Sequence, residues 1–149
     1  MIFRLRKLSR QGLFFYKGDL YESVGQYNSS RFIKRSLNGH RSEILEYTNM
    51  KLEYFGEGAD FYEDSSGDVY FYQMTWRERK IVRYDKNMKK LDSFTMPYAI
   101  REGWGLSHDP LKQNNIYYVS DGSDIVHECD ITQNLKVIKS HRVSLIDQV

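Results

Sequence analysis

The sequence predicts an all-β fold made of three similar units, and three observations support this prediction. The dipeptides Gln11-Gly12, Glu57-Gly58 and Trp104-Gly105 recur at intervals of 46 and 47 residues from one glycine to the next. Short segments of alternating apolar and polar residues follow each dipeptide in the same order. No segment shows a convincing helical periodicity. Self-similarity at a fixed period is typical of repeat architectures.

Each unit contains four predicted strands, of which the first carries the X-Gly dipeptide. The second is a short aromatic strand that an Asp or Asn turn residue begins, at residues 19–21, 68–70 and 115–117. The third alternates as a half-buried strand does, at residues 31–35, 80–84 and 124–128. The fourth follows a turn-rich stretch and covers residues 42–46, 90–94 and 135–139.

Four short strands per unit and a period near 46 residues are typical of the blades of a β-propeller. The first strand of each blade would then line the axial channel, where glycine lets neighbouring backbones approach closely. A β-sandwich whose glycines only mark tight turns is the alternative, but a sandwich does not require evenly spaced repeats. We therefore predict a single domain over residues 1–149, an all-β partial β-propeller of about three four-stranded blades.

Three blades do not close a ring, because propellers typically have about four to eight. An open arc would expose two apolar blade faces and long strand edges. We therefore expect that the chain is one part of a longer protein, or that another chain completes the ring.

The composition argues against other classes of function. The net charge is only +2 and acidic residues alternate with basic ones beyond the basic residues 4–10, so we expect no nucleic-acid partner. The first dozen residues lack an apolar stretch of signal-peptide length, and no membrane span is expected. The compartment is left open.

The histidines and the single cysteine do not predict a metal site. Cys129 lies two residues after His127, whereas zinc requires three or four converging ligands, and the other three histidines are scattered along the chain. We expect surface histidines, a buried thiol, and no metal or cofactor. One cysteine also excludes an internal disulfide.

Several stretches together resemble one known family. They are QGL at 11–13, YESVGQY at 21–27, SSR at 29–31, YFGEG at 54–58, QMTW at 73–76, EGWGL at 102–106 and SDGS at 120–123. In order and spacing they are similar to the plant and bacterial type of glutaminyl-peptide cyclotransferase, also called glutamine cyclotransferase. The resemblance covers nearly all of the chain and implies the first three blades of a five-bladed propeller. It also implies a metal-independent acyltransferase that converts the N-terminal glutamine of a peptide or protein to pyroglutamate, with release of ammonia.

The resemblance places Gln11, Phe55, Glu57, Trp76 and Trp104 in the active site. Cyclisation needs a base that takes a proton from the α-amine and returns it to the leaving ammonia, and Glu57 is the candidate for this catalytic role. An aromatic wall beside it would raise its pKa by desolvation. The tryptophans would hold the curled substrate and attract its ammonium group. The Gln11 amide would donate to the substrate carbonyl or fix the substrate's own amide.

Each candidate also has a structural interpretation. A tryptophan in a β-rich chain usually packs in a core, and a glutamate between glycines is usually a solvated turn residue. Glu22 and Asp121 lie in matching stretches, and we expect them to support the site or a blade turn rather than to act in catalysis.

Some positions depart from the family pattern. Ser9 stands where the family commonly has an aromatic residue, Arg10 where it has a small hydroxyl residue, and Ala59-Asp60 where it prefers an aliphatic and a small residue. A later Trp-x-Asn-x-Trp region and a lysine of the family would lie beyond Val149. The alternative to an enzyme is therefore a catalytically inactive partial propeller that acts as a binding or assembly module, in which Glu57→Gln would be silent.

Overall fold

The computed structural model describes residues 9–38, 41–111 and 115–144. In these residues, twelve strands form three four-stranded antiparallel sheets, and the only helix is a 3-10 turn at Ile131–Gln133. Within each sheet the strands pair in chain order, as the blades of a propeller do. The prediction of an all-β partial propeller with three four-stranded blades is confirmed.

The predicted strands overlap the observed ones, but Asp68, Asn115, Asp124 and Leu135 lie one residue before the observed strands, and the Trp104-Gly105 dipeptide lies directly before the first strand of the third blade rather than in it. Blade 1 contains β1 (Ser9–Tyr16), β2 (Asp19–Gly25), β3 (Arg31–Asn38) and β4 (Arg41–Asn49). Blade 2 contains β5 (Gly56–Glu63), β6 (Val69–Thr75), β7 (Lys80–Tyr84) and β8 (Lys90–Thr95). Blade 3 contains β9 (Leu106–His108), β10 (Ile116–Ser120), β11 (Ile125–Asp130) and β12 (Lys136–Arg142).

Aspartates fix the turns between strands, because their carboxylates accept hydrogen bonds from backbone amides two and four residues later. Asp64 accepts from the amides of Ser66 and Asp68, and Asp85 accepts from those of Asn87 and Lys89. Asp130 caps the short helix by accepting from the amide of Thr132 at 2.9 Å.

The core lies between the blades rather than within one sheet. Aromatic rings dominate the layer between blades 1 and 2, which contains Tyr21, Phe32, Met50, Tyr54, Ala59, Val69, Phe71, Val82, Tyr84 and Met88. Aliphatic and sulfur-containing side chains are more frequent between blades 2 and 3, where Tyr72, Met74, Ile81, Met96, Ile100, Leu106, Tyr117, Val119, Cys129, Ile131 and Leu135 pack together. Each blade is therefore stabilised mainly by its neighbour.

One fully buried polar side chain, Gln73 on β6, ties blade 2 to blade 1. Its amide nitrogen donates to the Ser23 hydroxyl at 2.8 Å and to the Arg31 carbonyl at 3.1 Å, and its amide oxygen accepts from the Tyr84 hydroxyl at 2.8 Å. Such a satisfied network specifies how the two blades dock, since a shift would leave buried groups unpaired.

The repeated glycines lie where the inner strands converge. A Cβ on Gly12 would fall 2.6 Å from the amide nitrogen of Ala59 in blade 2, and a Cβ on Gly58 would fall 2.5 Å from the amide nitrogen of Leu106 in blade 3. Only glycine permits this backbone approach. A Cβ on Gly105 would meet only the Ser120 hydroxyl, at 2.9 Å, because the described residues contain no fourth blade.

Candidate active site

Glu57 lies near the start of the inner strand of blade 2, at the point where this strand meets blade 3. The amide of the next residue, Gly58, donates to the Trp104 carbonyl at 2.7 Å. Trp104-Gly105 lies directly before β9 and pairs with Ser120 on the adjacent strand. The second and third X-Gly dipeptides therefore touch one another through the backbone.

The environment of Glu57 disfavours its charge. Burial raises the pKa of this half-buried carboxyl to about 7, and the nearby carboxylates of Glu102 and Glu78 add to the rise. The sequence analysis predicted a raised pKa for Glu57, but it did not predict the two acidic neighbours. A carboxyl group with this pKa exchanges a proton readily near neutral pH.

The two indoles of the chain share one acceptor. The Nε1–H groups of Trp76 and Trp104 both donate to Oε2 of Glu102, at 2.7 and 3.2 Å. The Arg77 guanidinium lies 4.0 Å from the centre of the Trp76 ring, and its Nε is 3.7 Å from Oε1 of Glu102. Trp76 follows β6 of blade 2 and Trp104 precedes β9 of blade 3, so Glu102 joins side chains from two blades.

A second set of aromatic rings continues this wall toward blade 1. Phe55 packs edge-on against Trp76 with 5.7 Å between ring centres, and Tyr27 packs edge-on against Phe55 at 5.2 Å. Glu78 accepts from the Tyr27 hydroxyl at 2.9 Å and from the Phe55 amide at 3.2 Å. Carboxylates therefore hold both parts of the aromatic wall.

Gln11 lies on the inner strand of blade 1, on the same side as Phe55. A Cβ built on Gly25 would fall 2.8 Å from Cγ of Gln11 and would overlap the Phe55 ring, so these side chains flank a single glycine. The Gln11 amide donates to the Ser9 hydroxyl at 3.0 Å. Among the described residues, its second N–H has no acceptor.

The structure brings the five sequence-predicted site residues into one neighbourhood at the junction of three blades. Three further residues of this neighbourhood, Tyr27, Glu78 and Glu102, were given no role by the sequence analysis. Tyr27 and Glu102 lay inside family-like stretches, and Glu78 follows Trp76 by two positions. A search for carboxylates next to the candidate tryptophans would have found both acids.

Glu22 lies in the middle of β2 rather than in a turn, and its hydrogen bonds go to blade 1. Its buried carboxylate pairs with the Nε groups of Arg10 at 3.0 Å and of Arg35 at 2.7 Å. Arg10, a departure from the family pattern, therefore compensates a buried charge within the same sheet.

Asp121 occupies the turn after β10 and organises the loops beside Trp104. Burial alone would raise its pKa, but hydrogen bonds from the Ser123 hydroxyl, the Arg101 amide and the His127 ring lower the pKa to about 2. It therefore remains a charged acceptor that fixes this loop, as expected for a residue of a blade turn.

The expectation of surface histidines is wrong for His127, although Cys129 is buried as expected. The His127 ring can be buried because both nitrogens have partners, the Ser140 hydroxyl at 2.9 Å and Asp121 at 3.3 Å. His108 is partly buried and bonds to Asp60 at 2.7 Å. His40 lies outside the described residues.

Asp60, another departure from the family pattern, joins blades 2 and 3. Its carboxylate accepts from both the backbone amide and the Nδ1 of His108, and it lies almost fully buried on β5. The hydrogen bond to Asp60 raises the pKa of His108. The departure therefore adds a polar contact at the interface between these two blades.

Three of the clefts lined by described residues lie near the inner strands, and one of them, of about 240 Å³, lies between Phe14, Phe61 and Leu106. A cleft of about 260 Å³ borders Trp104 and is lined by Arg101, Glu102, Trp104, Asp121, Gly122 and Ser123. Another, of about 290 Å³, is lined by Phe61, Glu63, Asp64, His108, Pro110 and Tyr117. Since Glu57 and Glu63 are at opposite ends of β5, the cleft beside Trp104 adjoins the candidate site and the cleft beside Glu63 does not.

Within residues 9–38, 41–111 and 115–144, no three His, Cys, Asp or Glu side chains are arranged to hold a metal ion. The described part of the chain also has no helix with the length and apolar character of a membrane span.

Comparisons with known proteins agree with this architecture. A sequence profile described as glutamine cyclotransferase matches residues 6–148. The crystal structure of glutaminyl cyclase from Myxococcus xanthus superposes with a TM-score of 0.68 at 22% sequence identity, covering 91% of this chain and 51% of that chain. A search of curated protein sequences gave no significant match.

More distant structures share the fold alone. A putative 6-phosphogluconolactonase from Bacteroides uniformis gives a TM-score of 0.60 at 10% identity, covering 95% of this chain and 43% of that chain. Virginiamycin B lyase from Staphylococcus aureus gives a TM-score of 0.57 at 15% identity, covering 95% of this chain and 43% of that chain. The chain spans about half the length of these matched proteins, or somewhat less.

Proposed function

The chain belongs to the glutamine cyclotransferase family, and on this premise we propose that its three blades supply the catalytic carboxylate and an aromatic wall of a glutaminyl-peptide cyclotransferase site. The substrate would be a peptide or protein with N-terminal glutamine. The single observation that carries the proposal is Glu57, whose carboxyl lies at the blade junction with a pKa of about 7.

The proposed reaction is an intramolecular acyl transfer. The α-amine nitrogen attacks Cδ of the substrate's own side-chain carboxamide, a new N–Cδ bond forms, and the bond from Cδ to the amide nitrogen breaks to release ammonia. Glu57 accepts the proton that the attacking amine loses and returns it to the departing nitrogen. A pKa near the ambient pH suits both steps, because the carboxylate must be basic enough to take the proton and acidic enough to give it back.

The aromatic residues would hold the substrate in a reactive conformation. Nucleophile and electrophile belong to the same residue, so much of the acceleration can come from restricting rotation of the side chain. Phe55, Trp76 and Trp104 provide rigid surfaces next to Glu57, and an indole face attracts an α-ammonium group by about 0.5 to 2 kcal/mol. We assign substrate binding to these three side chains and to Gln11.

Gln11 is proposed to contact the polar part of the substrate. Its free N–H would donate to the carbonyl oxygen on which negative charge develops as the amine attacks. Its hydrogen bond to Ser9 orients the amide on β1. Ser9, which stands where the family commonly has an aromatic residue, thus supports Gln11 in this chain.

A non-catalytic binding or assembly module is the second candidate, favoured by one observation. Blade 1 exposes an apolar outer face with Leu13 and Phe15, which are 56% and 60% exposed. Such a face suits contact with further blades, whether or not the arc turns over substrate.

The test measures ammonia release from a peptide with N-terminal glutamine, above the spontaneous rate. We expect turnover that Glu57→Gln reduces by about a hundredfold or more, while circular dichroism stays unchanged. Glu53→Gln, the same change on an exposed loop side chain, should retain activity. Turnover unaffected by Glu57→Gln would refute the role of Glu57, and no turnover by the unaltered chain would favour the binding module.

A further inference from the structure

We propose that Glu102 is the positioning residue of this site, fixing the indoles of Trp76 and Trp104 relative to each other and to Glu57. The proposal deepens the proposed function, because the indoles are assigned there as substrate-binding surfaces. Glu102 itself is not assigned contact with the substrate.

At least one of the indole donors does not need Glu102 as its acceptor. Trp104 is 47% exposed, so its single N–H donor could bond to water. Instead, both indole donors converge on one oxygen of Glu102, at 2.7 and 3.2 Å. A shared charged acceptor restricts the rotation of both rings, which separate water molecules would not do.

Other contacts complete the restraint of each ring. Arg77 covers the face of Trp76 and points its Nε toward the second oxygen of Glu102. Trp104 lies against Gly122, where a Cβ would come within 2.8 Å of the indole. Each ring is therefore held at one face by packing and at its edge by Glu102.

The backbone that carries Glu102 is itself anchored. The amide of Gly103 donates to the Trp76 carbonyl at 3.0 Å, and the amide of Trp76 donates to the Phe55 carbonyl at 2.9 Å. A Cβ on Gly103 would overlap the Thr75 carbonyl oxygen, so this segment lies tightly against the end of β6. Glu102 thus has a defined place between blades 2 and 3.

The same side chain influences the protonation of Glu57. The charged groups that act on this carboxyl are Glu102 and Glu78. Arg77 is the cation beside Glu102, and the Tyr27 hydroxyl is bonded to Glu78. Removing the charge of Glu102 should lower the pH at which Glu57 titrates. Glu102 therefore links the geometry of the aromatic wall to the proton affinity of the base.

The experiment observes the two indole Nε1–H resonances of the 15N-labelled 149-residue chain. In Glu102→Gln we expect both indole protons to exchange with solvent about tenfold faster, and the Glu57 titration midpoint to fall. Glu78→Gln is the matched control, since it removes an equally charged neighbour of Glu57 whose hydrogen bonds go to Tyr27 and Phe55 rather than to an indole. It should lower the midpoint and leave indole exchange unchanged.

Unchanged exchange in Glu102→Gln, or equal acceleration in Glu78→Gln, would overturn the proposal. Should Glu102→Gln unfold, Glu102→Asp decides the matter, because it keeps the charge and shortens the reach. Aspartate should speed exchange of at least one indole proton while the Glu57 midpoint stays near its original value, and unchanged exchange at both indoles would count against the proposal. These measurements need no turnover, so failure of the proposed cyclase activity would be recognised separately.

Discussion

Glu57 differs from Gln11 and Trp104 although all three precede a repeated glycine. The repeat supplies the same backbone position three times, and the three side chains lie in one neighbourhood. Of the three, Glu57 is the one that can ionise. Burial and two neighbouring carboxylates raise the pKa of Glu57 to about 7. Among the described residues Glu57 has no ion-pair partner, and a carboxyl group with such a raised pKa is a candidate for a functional site.

The raised pKa of Glu57 predicts how stability depends on pH. Because the folded state disfavours the charged form, the contribution of Glu57 to stability is lost as pH rises from about 4.5 through about 7. Glu57→Gln should therefore increase the free energy of unfolding at pH 8 by about 1 kcal/mol, after allowance for partial exposure. At pH 4 the two proteins should be nearly equal.

Urea denaturation across this pH range measures the effect. Glu53→Gln serves as the control for simple loss of a negative charge, and it should not show the same divergence between pH 4 and pH 8. If the free energies of unfolding of the unaltered chain and of Glu57→Gln vary with pH in the same way, the surroundings of Glu57 do not disfavour its charged form.

At the scale of the strands, the repeated glycines are explained by the next blade. Gly12 and Gly58 each lie against the backbone of the following inner strand, whereas Gly105 faces only a serine side chain. The three glycines occupy equivalent positions in the repeat, but among the described residues only Gly12 and Gly58 have a following blade beside them.

This difference predicts unequal costs of adding a methyl group. Gly58→Ala should lower the free energy of unfolding by about 2 kcal/mol or more, because Cβ would lie 2.5 Å from backbone atoms that cannot move independently. Gly105→Ala should cost less than about 1 kcal/mol, since the Ser120 side chain can rotate away. Equal losses in urea denaturation would contradict the inner-strand packing described here.

At the scale of the whole molecule, the arc has an outer face on blade 1. The cross-strand register places Leu13 and Tyr47 in one row of this face and Phe15 and Ile44 in the next. All four are about half exposed, whereas Phe14, on the opposite face, packs against Phe61 and Phe71 of blade 2. Between them in the same rows lie the buried Ile33 and Leu20 and the Glu22–Arg35 ion pair, and no described blade covers the four exposed side chains.

We therefore predict that the 149-residue chain self-associates through this face as its concentration rises. Replacing both Leu13 and Phe15 by serine should weaken association about tenfold or more, because two large apolar side chains would no longer be buried. Sedimentation velocity measures the change, with Leu52→Ser, an exposed apolar residue of a loop, as the control. A chain that stays monomeric throughout would exclude this face as a self-contact.

Much of the fold could be predicted from the sequence, since alternation and repeat spacing are local properties of the chain. Residues 80–84 were predicted as a strand and form β7 with the same bounds. The burial of His127 could not be predicted, because its partners Asp121 and Ser140 come from a turn and another strand. The hydrogen bond from His108 to Asp60 could not be predicted either, because its two residues lie in different blades.

By itself, the sequence determined the blades, the glycines at their inner strands and the residues that resemble a glutamine cyclotransferase, because each depends on spacing along the chain. Only the tertiary structure decided that Glu102 receives both indoles and that Glu78 holds Phe55 and Tyr27. The contacts of Glu102 with Trp76 and of Glu78 with Tyr27 join segments from different blades, and the proton affinity of Glu57 depends on the charges that this convergence places around it. Distances between charges are set by packing, so they cannot be obtained from residue spacing alone.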